Sequence, residues 1–257
     1  MKETTGRLGR PDGEEIAWRR INGRGPIVVW LGGFRSDMAG TKAQILADWA
    51  HERDRAFLRF DYFGHGESSG DFVKGGCITR WREDALAAVD QLTEGPLVLV
   101  GSSMGGWLSL LVAAARPDRV KAMVLVAPAA DFTEALMKPR FTPEIAQALS
   151  EEGVWIERSD YDPAGYPITR LLIEDGARWS VLPGPLAFRG PVRILQGARD
   201  DSVPWTHAHE LVGALPGDDV VFTLIKDGDH RLSRPQDLER LFAAVEELVT
   251  SPRPTAA

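Results

Sequence analysis

Leu97-Val98-Leu99-Val100-Gly101-Ser102-Ser103-Met104-Gly105 decides the fold. Four apolar residues read as a strand, and Gly106 to Ala115 reads as a buried helix. Between them a serine stands inside G-x-S-x-G. A turn this tight between strand and helix lifts the central hydroxyl above the strand edge, and glycines at its ends remove the Cβ atoms where the chain bends most sharply. Ser103 is therefore the candidate nucleophile. Ordinary strand-to-helix turns also use glycine and serine, so the flanking sequence has to decide.

Upstream, Thr4 to Leu8 and Glu15 to Ile21 flank the turn signal Pro11-Asp12-Gly13 and read as a hairpin. Ile27 to Leu31 and Ala56 to Phe60 are nearly all apolar, as central parallel strands are. Helical spacing appears at Thr41 to Ala50 and at Trp81 to Leu92. Downstream, Val120 to Ala127 is another strand. Successive strand-then-helix units predict an α/β fold, with a mostly parallel sheet covered by helices on both faces.

The rhythm breaks after Ala130. From Asp131 to Pro185 no strand is expected, only two short helices, Pro143 to Glu151 and Thr169 to Arg178, joined by a connection containing proline and tyrosine. We read residues 131–185 as a small, mainly helical cap inserted over the carboxyl edge of the sheet, where open α/β folds bind ligands. Residues 1–130 and 186–250 then form the two parts of the core, and 251–257 a flexible tail. The second part offers strands at Val192 to Gln196 and Val220 to Ile225, and helices at His207 to Leu215 and Gln236 to Thr250.

Composition narrows the function classes. With 257 residues, 44% of them hydrophobic, the chain can bury a large core. A formal net charge of −7 with no basic run argues against nucleic acid and against anionic membranes. One cysteine, Cys77, excludes an intrachain disulfide and suits a reducing compartment. No apolar run approaches the roughly 20 residues of a membrane span. Met1 to Gly9 shows no secretory h-region, so stable membrane insertion is not expected and a cytoplasmic location is. Monomer and homodimer both remain open.

A serine hydroxyl needs a base, and the base needs an orienting acid. For a serine on such an elbow the partners follow in the order acid, then histidine. His230 sits in the loop after the Val220 to Ile225 strand. His51 and His65 precede the serine, whereas His207 and His209 fall near a helix start and read as surface residues. His207 beside Asp200 and Asp201 hints only faintly at a metal, and no metal or cofactor is expected. The acid lies in Gly197-Ala198-Arg199-Asp200-Asp201-Ser202-Val203-Pro204. Spacing favours Asp200; Asp201 stays open, and Asp229 reads as a loop-shaping residue. An oxyanion would be met by two backbone N–H groups, those of Met104 and of Phe34 in the loop after Leu31. Phe34, Trp107, Trp155 and Trp205 are candidates for an apolar substrate pocket, each also able to serve as plain core. Arg35 is a candidate for attracting a carboxylate. No G-x-G-x-x-G accompanies Gly32-Gly33, and Gly64-His65-Gly66-Glu67 sets an acid where a phosphate would lie, which disfavours a dinucleotide site.

Taken together, Gly32-Gly33-Phe34, Asp61-Tyr62-Phe63-Gly64-His65-Gly66-Glu67-Ser68, Gly101-Ser102-Ser103-Met104-Gly105-Gly106-Trp107, the 197–205 loop and Asp229-His230-Arg231 resemble the α/β-hydrolase superfamily, over roughly residues 20 to 250. More narrowly, Gly40-Thr41-Lys42, Trp81-Arg82-Glu83-Asp84, Gly106-Trp107-Leu108, Gly153-Val154-Trp155 and Val203-Pro204-Trp205 resemble the acyl-protein (palmitoyl-protein) thioesterase and acyl-glucuronide esterase group. The resemblance implies Ser103 as nucleophile, Asp200 as acid and His230 as base. It also implies hydrolysis of carboxylic esters or thioesters of small acyl substrates or acylated partners, through an acyl-enzyme and without a cofactor. Gly32 departs from the histidine that many members carry there. Members of the narrower group are often organellar, and no transit peptide is evident here. The rival readings are another serine-dependent activity of the superfamily, carbon–carbon bond hydrolysis or peptide cleavage, and a non-catalytic binding protein on the same scaffold. Serine at 103 disfavours the dehalogenase and epoxide hydrolase branches, which the resemblance associates with aspartate at that position.

Overall fold

In chain order the elements are β1 (Thr4–Gly9), β2 (Glu15–Ile21), β3 (Arg24–Leu31), α1 (Thr41–Glu52), β4 (Arg55–Phe60), the single turn α2 (Phe72–Gly75), α3 (Ile78–Leu92), β5 (Leu97–Ser102), α4 (Met104–Ala115) and β6 (Val120–Val126). An excursion follows, with a π-helical turn at Thr133–Met137, α5 (Pro143–Glu151), β7 (Val154–Glu157), β8 (Tyr166–Thr169) and α6 (Arg170–Gly176). The chain then closes with β9 (Val192–Gly197), α7 (Trp205–Ala214), β10 (Val220–Ile225) and α8 (Pro235–Thr250). This computed structural model describes residues 3–158, 165–182 and 184–250. The expected tail, 251–257, and the connection at 159–164 lie outside the described residues.

Eight strands form one sheet in the order β1-β2-β4-β3-β5-β6-β9-β10. The β1–β2 hairpin is antiparallel and joins β4 antiparallel; every pairing from β4 onward is parallel. Alternation along β3 shows how the sheet serves two layers. Ile27, Val29 and Leu31 enter the core beneath α3, α4 and α7, whereas Val28 and Trp30 enter the core beneath α1 and α8. Because both faces are covered, the central strands carry apolar residues in both phases rather than in one.

The winding reverses at β3, whose neighbours β4 and β5 lie on opposite sides of it. The loops leaving β3 and β5 therefore diverge, and the crevice between them is where this class of sheet places ligands. The loop from β3 carries Gly33 and Phe34; that from β5 carries Ser103.

Residues 131–185 differ from the sequence expectation in one respect: they contain strands. β7 and β8 pair antiparallel, Val154 opposite Thr169 and Ile156 opposite Pro167. Four-residue strands carry too little alternation to stand out in sequence, and Pro167 masks the second of them. Proline is tolerated because a two-stranded sheet has only edges. The predicted helix at Thr169 to Arg178 is α6, prolonged by a 3-10 turn at Ala177–Trp179, with the Thr169 hydroxyl accepting from Leu172 N–H as its cap. Leu149, Ile168 and Ile173, with Met137, Phe141, Ile145 and Trp155 against them, give this segment a small core of its own.

One buried carboxylate binds the excursion to the main core, and a second ties the two ends of the excursion together. Asp175 accepts from the Thr79 N–H and hydroxyl, both at 2.7 Å, and the Trp179 indole donates to the same hydroxyl at 2.7 Å. Asp131 accepts from Val181 and Leu182 N–H at 2.8 Å. Buried hydrogen bonds of this kind stabilise modestly when made and cost more when one partner is lost.

Candidate active site

The elbow is a steric consequence of its glycines. A Cβ on Gly105 would lie 2.0 Å from the Leu31 carbonyl oxygen, and one on Gly101 would lie 2.3 Å from that of Gly105. With those contacts open, β5 runs into α4 at van der Waals distance from β3, and Ser103 takes φ 54°, ψ −118°. A left-handed φ is uncommon outside glycine and costs on the order of 1–2 kcal/mol. The backbone around it is fully used: Ser103 N–H donates to Val126 O at 2.9 Å, and its carbonyl accepts from Gly106 N–H and Ala129 N–H.

Ser103 Oγ is 3.2 Å from His230 Nε2, and His230 Nδ1 is 2.8 Å from Asp200 Oδ2. A carboxylate can only accept, so Nδ1 carries the proton and Nε2 offers its lone pair to the serine hydroxyl. The strand ends after β5, β9 and β10 supply the three groups. The Asp200 side chain is fully withdrawn from solvent. Its Oδ1 accepts from Ser202 and Val203 N–H at 2.9 and 2.8 Å, and Gln196 Nε2 donates to Oδ2 at 3.0 Å. Asp201 is exposed, and Asp229 accepts from Leu232 N–H in shaping its own loop. Of the acids weighed from sequence, Asp200 is the one brought to the imidazole.

Met104 is the first residue of α4, where an N–H has no carbonyl one turn earlier to receive it. The loop carrying Phe34 lies directly against the serine: a Cβ on Gly33 would stand 3.4 Å from Ser103 Cβ. Gly33 O accepts from Ser36 N–H at 3.2 Å, which fixes the Gly33–Phe34 peptide plane. In a trans peptide C=O and N–H point in opposite directions, so Phe34 N–H faces out of that turn.

Two cavities meet at Ser103, His230, Phe34 and Tyr166. The first, about 420 Å³, is walled chiefly by apolar side chains of residues 131–185, among them Phe132, Met137, Phe141, Ile145, Trp155 and Ile168. The second, about 360 Å³, is lined by Arg35, Ser36, Thr41, Lys42, Arg231 and Ser233. Lys42 Nζ donates to Arg231 O at 2.5 Å, and burial pulls its pKa down to about 8.

Of the aromatic candidates, Phe34 and Trp155 line the first cavity. Trp107 and Trp205 do not line either one. Trp107 is fully buried beside Phe132, ring centroids 5.5 Å apart, with its indole donating to Trp179 O. Trp205 is 42% exposed at the start of α7. His207 also departs from expectation: it is buried, and its Nε2 donates to Ala130 O at 2.8 Å, because α7 starts at Trp205 and turns position 207 inward. Sequence reasoning passed over Gln196 and, Trp155 apart, the apolar side chains of residues 131–185 that wall the cavity. Gln196 left a signal, a lone amide at the end of an apolar strand; the latter left none, since apolar residues outside regular periodicity look like any core.

The family model described as serine aminopeptidase, S33, matches residues 25–161. Bovine (Bos taurus) palmitoyl-protein thioesterase ABHD10, mitochondrial, is 35% identical over 244 residues, covering 94% of this chain and 79% of the relative. The crystal structure of a putative hydrolase from Agrobacterium vitis S4 superimposes with TM-score 0.91 at 43% identity, covering 96% of this chain and 98% of the other. Mouse α/β hydrolase domain-containing protein 10 does so with TM-score 0.88 at 32% identity and the same coverage.

Proposed function

The chain belongs to the α/β-hydrolase family described as serine aminopeptidase, S33, and from its site we propose that Ser103 is the nucleophile, His230 the base and Asp200 the acid of this ester-bond hydrolase. The observation that carries the reading is the relay from Ser103 Oγ through His230 to the buried Asp200, opening onto an apolar cavity of about 420 Å³. His230 Nε2 takes the hydroxyl proton as Oγ bonds to the acyl carbonyl carbon. The carbonyl oxygen takes the electron pair as an oxyanion and is met by the N–H groups of Phe34 and Met104. Collapse expels the thiol or alcohol, which leaves with the proton from His230. Water then repeats the sequence on the acyl-enzyme and frees the carboxylic acid. Asp200 holds the imidazole in the required tautomer throughout.

The substrate follows from the two cavities. The acyl group occupies the apolar one, so residues 131–185 act as a cap that measures the chain, with Phe34 and Trp155 on its walls. The polar one, with Lys42 and Arg231 on its walls, receives the leaving group. Thioesterase chemistry is favoured by the bovine relative, which is named for palmitoyl-protein hydrolysis and covers nearly the whole chain. An acylated protein and a small acyl thioester are both compatible with an opening at this edge. Among the described residues no helix is long and apolar enough to cross a membrane. Our cytoplasmic expectation rests on sequence alone; the relative's name carries the word mitochondrial.

The experiment is turnover of matched thioesters and oxygen esters of increasing chain length by the wild type and by Ser103→Ala, with fluorophosphonate labelling of both. The reading expects labelling and turnover that vanish in the variant and a preference for medium or long chains. Turnover surviving in Ser103→Ala removes the nucleophile assignment. Labelling without hydrolysis of any ester, but with cleavage of an aminoacyl anilide, moves the protein to the peptidase activity in its family's description.

A further inference from the structure

His65 sits in the glycine-flanked loop after β4 and is 4% exposed, and its two ring nitrogens face backbone groups rather than Ser103, His230 or Asp200. A histidine is seldom buried without work for both of its nitrogens. Here Nδ1 lies 3.0 Å from Phe63 O, and Nε2 lies 3.2 Å from the backbone nitrogen of Arg35. These partners leave one protonation pattern. A carbonyl only accepts and a backbone N–H only donates, so Nδ1 holds the proton and Nε2 the lone pair. Burial agrees, lowering the pKa to about 4 and keeping the ring neutral.

Arg35 is the residue after Phe34 and takes φ 57°. Gly33 O accepts from Ser36 N–H, so residues 33–36 form a turn whose third residue is left-handed, the type II arrangement. The type I alternative differs by a flip of the peptide joining Phe34 to Arg35, and it is the arrangement that a non-glycine third residue ordinarily adopts. Arg35 N–H belongs to that peptide. An acceptor fixed on one side of the loop therefore selects the flip state, and His65 Nε2 is that acceptor.

The acceptor is itself rigid. The ring is enclosed edge-on by Tyr62, Phe72 and Trp81, with centroids 5.2 to 5.7 Å away. Phe63, whose carbonyl accepts from Nδ1–H, is tied to α3 through both its N–H and its C=O: Asp84 accepts from Phe63 N–H at 2.8 Å, and the Trp81 indole donates to Phe63 O at 3.1 Å. The path runs from α3 through Phe63 and His65 to Arg35 and ends one residue from the proposed oxyanion donor.

We propose that His65 is a positioning residue for the oxyanion loop, its Nε2 lone pair anchoring Arg35 N–H and so holding the 33–36 turn, whose first peptide carries the Phe34 N–H, in place against Ser103. The inference rests on the reading of Phe34 as an oxyanion donor. It concerns kcat rather than substrate affinity, because the oxyanion exists only beyond the ground state.

Glutamine and asparagine separate the two nitrogens. A glutamine carbonyl reaches the place of Nε2 and keeps the acceptor for Arg35; an asparagine amide reaches that of Nδ1 and keeps only the donor to Phe63. In the full-length protein, kcat and KM for a medium-chain thioester and the inhibition constants of a trifluoromethyl ketone and of the product carboxylate are measured for wild type, His65→Gln and His65→Asn. Expected is a loss of about 10- to 100-fold in kcat for His65→Asn, a matching loss in affinity for the ketone, unchanged KM and product affinity, and substantial recovery of both in His65→Gln. Equal behaviour of the two variants, or a loss confined to KM, overturns the proposal. Ser103→Ala run alongside separates the two readings: if it stays active the nucleophile assignment fails, whatever His65 does. Should either variant fail to fold, ring-nitrogen NMR of the wild type decides. A neutral His65 protonated at Nδ1 at pH 7 is expected, and a proton on Nε2 overturns the proposal.

Discussion

The Asp200 carboxylate meets the His230 imidazole at 2.8 Å with none of its own surface exposed to solvent. In the proposed relay this aspartate would fix the histidine tautomer and steady the imidazolium formed when the serine proton is taken. Asparagine would fill the same space and favour the wrong tautomer. Asp200→Asn is expected to lower kcat about 10³- to 10⁴-fold with little change in the unfolding midpoint, whereas Asp201→Asn leaves kcat near wild type. Steady-state kinetics on one thioester reads both, and the reverse ranking would move the acid to Asp201.

Chain length should answer to Ile145, which is half-buried in α5 and lines the apolar cavity. Ile145→Trp fills space that the distal methylenes of a long acyl chain would occupy. Each methylene kept in water forfeits about 0.8 kcal/mol, so excluding two or three lowers kcat/KM for a palmitoyl thioester about 10- to 100-fold. The acetyl substrate should be unaffected. Equal losses on both chains would mean that the chain runs elsewhere.

The bond set around Thr79 predicts what holds the proposed cap down. Thr79→Val removes the hydroxyl that donates to Asp175 and accepts from Trp179, leaving a buried carboxylate oxygen and an indole N–H short of a partner. The expected loss of stability is about 1–3 kcal/mol, accompanied by faster proteolytic cutting within residues 131–185. Denaturant unfolding gives the first quantity and limited trypsinolysis the second. A loss of stability with an unchanged cutting pattern would mean that the bonds support α3 instead.

Acid sensitivity has a specific source in His65, whose pKa burial lowers from 6.5 to about 4. Between those values the unfolded chain binds a proton that the folded chain does not, so this histidine makes stability fall as pH drops through the interval. Its share between pH 7 and pH 5 is about 2 kcal/mol. Burial raises Asp61 and Asp84 to about 6, and these two act in the opposite sense over part of the same range. The comparison that isolates the histidine is therefore between wild type and His65→Gln, by urea unfolding at both pH values. The variant is expected to lose less stability on acidification; parallel slopes would show that the ring is protonated in the folded state.

Much of this molecule was legible in the sequence because its core is two-sided. Apolar runs such as Ile27 to Leu31 and Leu97 to Val100 leave few alternatives to a buried parallel strand, and glycines at 101 and 105 could mark the elbow because no other residue fits there. The inserted segment was less legible. β7 and β8 are four residues each and depend on one another, so neither has a signature alone. Trp107 and Trp205 misled for a related reason: sequence reports that a ring is large and apolar, and only the course of α4 and α7 decides whether it faces core, cavity or water. Side-chain direction in a loop is equally mute, which is why spacing could favour Asp200 while leaving Asp201 open.

The glycines of the elbow have a consequence for residue 103 itself. Its backbone is held by what lies around it, Leu31, Val126 and the carbonyls that glycine alone can approach, and not by its own hydroxyl. An alanine there inherits the same dihedral angles, so Ser103→Ala should keep both cavities, the Phe34 loop and the proposed cap in register while, on the proposed mechanism, being unable to complete a turnover. Such a protein is a trap: it would retain uncleaved acyl donors drawn from a cell extract, and mass spectrometry of the retained molecules would read the natural substrate directly.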